Sequence, residues 1–222
     1  NLPVDSAAAT TIDGSLNHGT SVTLKTTATG TSGPGVRATG PGDIIVASSL
    51  KWSGAAKLTL DAYRNVQINS GVTISHTGHG SLVLAADYGA HDSGTVLFKG
   101  NGKIDFSGST GDVTIYYHPG SYASPTSYKP KVALHSGSKL TAYMTIDNAT
   151  DLQAMRKNLT GIYALNANIN ASSIANFVPI GSNSTDSDST RFNGTLYGGG
   201  HTISRLTISS GASYVGLFGG LG

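Results

Sequence analysis

The sequence predicts an all-β chain wound as a solenoid of stacked parallel strands. Three observations predict it. Short alternating apolar segments recur between Gly42 and His118, Gly, Ser, Asn or Asp bounds most of them, and only 12% of the 222 residues are charged while 30 are Gly. Globular helices would need more Lys, Glu and Leu. Polar surface must come instead from Ser, Thr, Asn and Gly, which sit at strand turns and on solvent faces without carrying charge.

Residues 1–41 are rich in Ala, Thr, Ser and Gly, with one alternating segment at Ser21-Val22-Thr23-Leu24-Lys25, and read as irregular early coils. The body spans 42–145. Its strand candidates are Asp43–Val46, Lys57–Ala62, Asn65–Ile68, Ser81–Asp87 and Gly111–Ile115, each too short to stand alone. Leu58 and Leu60 precede Leu82 and Leu84 by 24 residues. Period-2 alternation then sends these four leucines inward to stack in rows about 4.8 Å apart, with Thr59, Asp61 and Ser81 facing water.

A connecting segment at 146–190 breaks the pattern. Thr150-x-x-Gln153 matches a capping box, and Leu152, Met155 and Leu159 fall at helical spacing, so one short helix is expected near 150–158. Tyr163-Ala164-Leu165 and Ile169 return to strand, and Ser182 to Thr190 reads as a polar loop. Residues 191–222 read as strands separated by Gly clusters. Phe218-Gly219-Gly220-Leu221-Gly222 is no cap for a sheet edge, which predicts a longer parent protein.

The net charge of +2 arises from 14 basic and 12 acidic residues scattered singly. No basic stripe tracks a phosphate backbone, so nucleic acid is not an expected partner. No run reaches the roughly 18 apolar residues of a membrane span. With no Cys, disulfides, thiolate metal sites and a Cys nucleophile are excluded.

An ordered series of phrases carries a family resemblance. Gly42-Asp43-Ile44, Leu50-x-Trp52, Leu58-Thr59-Leu60-x-Ala62, Ser81 to Asp87, Gly94-Thr95-Val96-Leu97-Phe98 and Val113 to Pro119 resemble the passenger of filamentous haemagglutinin-like adhesins. Further on, Leu152 to Met155, Gly161 to Leu165, Phe177 to Gly181, Phe192 to Ser204 and Val215-Gly216-Leu217-Phe218-Gly219 resemble the approach to a GLUG-type repeat and its closing signature. The resemblance implies a right-handed, three-faced parallel β-helix in a large bacterial surface or secreted adhesin. It also implies an outer-membrane two-partner transporter as export partner and a host or neighbouring-cell receptor or glycan as target. The secretion domain of that family has no counterpart here.

Candidate chemistry is sparse. Gly78-His79-Gly80 is similar to a tripeptide of polygalacturonases, but those hydrolases set paired carboxylates and a basic clamp across the glycosidic bond, and this chain has no Asp-Asp dipeptide and no Arg-x-Lys. His79 is expected to be a turn residue. The group His76, His79, Asp87, His91 and Asp92 lacks a metal-ligand spacing and reads as a solvated loop. Neither His-Glu-x-x-His nor Gly-x-Ser-x-Gly is present. No catalytic residue, cofactor or metal is therefore expected.

Tyr116, Tyr117, Tyr122 and Tyr128 concentrate aromatic area in one turn-rich stretch that offers rings to sugars or a protein partner, or else covers a coil flank. Trp52 is expected to pack. Asn-x-Ser/Thr triplets at Asn148, Asn158, Asn170, Asn183 and Asn193 are candidate glycosylation positions by the same resemblance, and Asn148 doubles as a capping residue. The expected function is the non-catalytic shaft and contact region of an adhesin. Its alternatives are a carbohydrate-active β-helix enzyme and the inert stalk of a contact-dependent toxin.

Overall fold

The computed structural model describes residues 1–182, 190–209 and 215–222. The chain divides into two compact units, Asn1–His118 with Ser127–Ala142, and Pro119–Thr126 with Tyr143–Gly222. Among the described residues it is β-rich, with two short α-helices, α1 (Ser6–Asn17) and α2 (Ala149–Ala154).

In chain order, the strands that begin in the first unit are β1 (Leu2–Val4), β2 (Val22–Thr26), β3 (Thr31–Ser32), β4 (Ile44–Val46), β5 (Leu50–Trp52), β6 (Leu58–Asp61) and β7 (Val66–Ile68). They continue with β8 (Thr73–His76), β9 (Leu82–Ala85), β10 (Val96–Phe98), β11 (Lys103–Phe106), β12 (Val113–Tyr117), β13 (Val132–Leu134) and β14 (Leu140–Ile146). From β4 to β12 successive strands go to three sheets in rotation. The first sheet orders β1-β4-β7-β10, the second β5-β8-β11-β13, and the third, which has eight strands, begins β3-β2-β6-β9-β12. All these pairings are parallel except β2 with β3.

Register explains the core. In the third sheet Val22, Leu58, Leu82 and Val113 stand in one row and Leu24, Leu60, Leu84 and Ile115 in the next. Leu2, Ile44, Val66 and Val96 form a row in the first sheet, and Leu50, Ile74, Ile104 and Val132 one in the second. Nearly every member of these rows is buried. Each buried aliphatic contributes roughly 1.5–3 kcal/mol. The 24-residue offset places Leu58 against Leu82 and Leu60 against Leu84, as the alternation predicts.

Polar side chains close the turns between these strands. Asp43 accepts a two-pronged bond from Arg64, at 2.8 Å from Nε and 2.6 Å from Nη2, and a third from the Asn65 backbone N–H at 3.0 Å. Burial alone would push the Asp43 carboxyl up, but the Arg64 fork and the Asn65 N–H outweigh it and hold the group below the usual carboxylate range. Buried Thr26 donates to the Gly42 carbonyl at 2.6 Å and accepts from the Tyr63 N–H at 2.9 Å. Gly80 and Gly111 are needed for space. A Cβ on Gly111 would overlap the Gly80 carbonyl oxygen, and one on Gly80 would overlap that of Ala56.

The expectation of irregular early coils is corrected by α1. Asp5 caps it, accepting from the Ala8 N–H at 2.9 Å, and Ala8, Ala9, Ile12 and Leu16 form its buried stripe. Its other role is at the edge of β5. Asp13 accepts from the Lys51 N–H and Asn17 from the Ser53 N–H, both at 2.9 Å, so two side chains one helical turn apart satisfy strand donors that would otherwise be unpaired. The Val36 N–H donates to the Pro3 carbonyl and the Ala38 N–H to the Asn1 carbonyl, which covers the open side of β1.

In the second unit, Met144–Ile146 of β14 pairs in parallel with β15 (Ile162–Leu165), and β15 with β17 (Thr195–Tyr197); β16 (Ile169–Asn170) pairs with β18 (Ile203–Ser204). The expected helix is present as α2, extended by a 3-10 turn at Met155–Lys157. Its cap differs from the predicted box. Asn148 accepts from the Asp151 N–H at 3.0 Å, while Gln153 reaches away to exchange two 2.8 Å bonds with the backbone of Val178. Ile180 bridges Phe218, and Phe192 bridges Leu221. Most of the predicted polar loop from Ser182 to Thr190 lies outside the described residues.

Candidate functional site

The tyrosine stretch is not a contact surface as a whole. Tyr117, Tyr122 and Tyr128 are 1%, 6% and 3% exposed, and only Tyr116 is half-buried. In the first unit Tyr128 packs edge-on against Tyr117 at 5.1 Å, and its hydroxyl lies 3.1 Å from Thr95 Oγ1. Burial pushes the Tyr128 phenol up. In the second unit Tyr122 donates to the Thr145 carbonyl at 2.6 Å and faces Tyr163. Burial of these three agrees with the coil-flank alternative. Turn-rich sequence marks where the chain bends, and not which way its rings point.

The histidine and aspartate group is dispersed. His79 is exposed in its turn, with Nδ1 2.6 Å from Thr110 Oγ1, as expected. Asp87 is fully buried at φ +65°, and one of its oxygens accepts from the His91 N–H at 3.0 Å. The His91 ring itself is exposed against Tyr63, at 4.2 Å. Asp105, on β11, accepts from the Ser107 hydroxyl at 2.6 Å and its N–H at 3.2 Å. These bonds hold it below the usual carboxylate range, which makes it a poor proton donor at neutral pH.

His76 departs most from expectation. It ends β8 opposite Trp52 and is 1% exposed, not part of a solvated loop. Trp52 lies 4.6 Å from its ring and Phe106 5.2 Å. Its Nε2 is 2.8 Å from the Gly54 carbonyl oxygen, which can only accept, so Nε2 carries the proton. Nδ1 then accepts, from Ser109 Oγ at 2.6 Å and from the Gly78 N–H at 3.3 Å. Both nitrogens are committed, so this ring offers no ligand atom to a metal. Period-2 alternation extended to polar residues accounts for this placement, because His76 sits two positions beyond inward-facing Ile74.

Burial pushes the His76 pKa down; the Gly54 carbonyl opposes this, and nearby His79 adds to it. Above the ordinary imidazole value of about 6.5 both folded and unfolded states are neutral, and stability is unaffected. Below it the unfolded chain binds the proton first, so stability falls with pH until the folded pKa is passed. The urea midpoint of the first unit is therefore expected to drop between pH 7.5 and pH 5, and His76→Gln to flatten that slope. An unchanged slope in the variant would refute the assignment. Asp61 and Asp13, both pushed up by burial, act in the opposite direction in both proteins and cancel in the comparison.

The triplet asparagines have distinct settings. Asn148 caps α2; Asn158 accepts from Thr160 Oγ1 at 3.2 Å; Asn170 is exposed and accepts from the Ser172 N–H at 3.1 Å. Asn193 is exposed, and Asn183 lies outside the described residues.

A concave feature absent from the sequence reading lies in the first unit. Asn1, Thr27–Thr31 and Arg37–Gly40 line a recess of about 400 Å³. Its walls carry threonine hydroxyls, backbone amides, the Asn1 residue and one guanidinium, and neither a carboxylate nor an aromatic ring. Arg37 Nη2 donates to the Thr29 carbonyl at 3.2 Å, and the Thr27 hydroxyl accepts from the Gly30 N–H at 2.9 Å.

Fold and site together define a β-rich chain whose described strands pair mostly in parallel, the three sheets of the first unit taking every third strand from β4 to β12. No family model and no solved structure matches it. Among curated proteins, an 88-residue stretch is 46% identical to halomucin of Haloquadratum walsbyi, covering 34% of this chain and 1% of halomucin. Among the described residues, no helix is long and apolar enough to cross a membrane.

Proposed function

We propose that this chain is a segment of a right-handed parallel β-helix, serving as the non-catalytic shaft and contact region of a large surface or secreted adhesin. The observation that carries the reading is the set of register-matched rows, above all Leu24, Leu60, Leu84 and Ile115, each next to a strand from the following turn. Such rows make stability a sum of nearest-neighbour terms and let a scaffold lengthen by repetition. A likeness to 1% of a very long protein fits a scaffold built this way. Repeated weak contacts along it supply avidity without a deep pocket. The two-partner transporter is the export partner of this reading, and a cell-surface receptor or glycan its target.

Beads carrying many copies of the chain test it against glycan-coated and cell surfaces. Adhesion that rises steeply with copy number is expected, together with no cleavage of acidic polysaccharides. Folded copies that never adhere would leave only a stalk. Polysaccharide cleavage abolished by Asp87→Asn or Asp105→Asn would replace the adhesin with an enzyme.

A further inference from the structure

We propose that the recess at Thr27–Thr31 and Arg37–Gly40 binds the carboxylate-bearing end unit of an acidic saccharide, such as a uronic acid. This rests on the contact-surface reading above and names the ligand class for one place on it. The recess falls in the size range of small-ligand sites, which start near 300 Å³. Its single charged side chain is Arg37, exposed and with one hydrogen bond, to the Thr29 carbonyl, among the described residues. The rest of its planar fork is open to a bidentate carboxylate. No acidic residue lines the walls to compete for it.

The walls also favour a sugar over a bare anion. Thr29, Thr31 and Thr39 hydroxyls make no hydrogen bond to the described residues, and each both donates and accepts, as sugar hydroxyls require. Without an aromatic wall there is no platform for the apolar face of a neutral sugar, so the anchor has to be ionic.

The test is an amide chemical-shift titration of the whole chain with D-glucuronate, methyl glucoside and inorganic sulfate. Glucuronate is expected to shift the Thr27–Gly40 amides saturably, and methyl glucoside to leave them in place. Arg37→Gln should weaken glucuronate at least about tenfold, with Arg37→Lys intermediate. Thr31→Val should weaken it a few-fold with the fold intact. Equal binding by Arg37→Gln, equal binding of methyl glucoside, or sulfate binding as tightly as glucuronate would each overturn the assignment. The bead assay separates the two readings: adhesion without glucuronate binding removes this site alone, and glucuronate binding without adhesion removes the adhesin alone.

Discussion

Leu60→Asp is expected to abolish the cooperative urea transition of the first unit at neutral pH. Leu60 is fully buried, with Leu24 on one side and Leu84 on the other, so the change removes contacts to two neighbouring strands at once. A Leu→Ala change at such a site costs about 2–5 kcal/mol. Asp adds the cost of a buried carboxyl with no partner in an aliphatic row. Together these approach the whole stability of an ordinary domain, about 5–15 kcal/mol. Thr59→Asp, one residue earlier and on the other face, is the control and should cost under about 1 kcal/mol. Similar losses in the two variants, measured by circular dichroism, would mean that the rows do not carry the fold.

Trp52→Ala should cost the first unit about 3–5 kcal/mol. The ring is 1% exposed, packs on His76 and edge-on against Phe106 at 5.6 Å, and donates from Nε1 to the Ala56 carbonyl at 3.0 Å. Removing it leaves a cavity, an unpaired carbonyl and an imidazole with one face bare. The chain has a single Trp, so wild-type emission reports unfolding of this sheet directly, while circular dichroism follows the variant. A loss under about 1 kcal/mol would show that the aromatic stack is incidental. A double-mutant cycle with Phe106→Leu should show coupling, because the two rings touch.

The strand segments were legible because alternation is a local property, and the pairing of Leu58 with Leu82 followed from spacing alone. Trp52 was read as a packing residue and is one, since a lone large ring beside an alternating segment has few other places to go. The helix at α2 was legible in its apolar spacing, and of the two capping residues the sequence offers, Thr150 and Asn148, the structure uses Asn148. Helix α1 also left a signal, Asp5 before an Ala-rich run with Ile12 and Leu16 one turn apart. Its Thr and Gly content disguised it.

The functional features were less legible, and for a different reason. Tyr117, Tyr122 and Tyr128 lie close in sequence yet are buried in two different units, so their shared neighbourhood was an accident of order along the chain. His76 became a core residue because the turn at Gly78 brings Ser109 and the Gly54 carbonyl to its two nitrogens, from 33 and 22 residues away. The recess is assembled by two loops and the first residue, none of which carries a motif.

By itself the amino-acid order marked five strand segments of the body, the apolar face of each, and the scattering of the charged residues. Tertiary structure decided which turns lie side by side, which aromatic rings are sealed, and where a cation is left facing an open recess. Side-chain alternation is set by backbone geometry one residue at a time, whereas burial and polar partnership depend on chain segments tens of residues apart arriving at the same place.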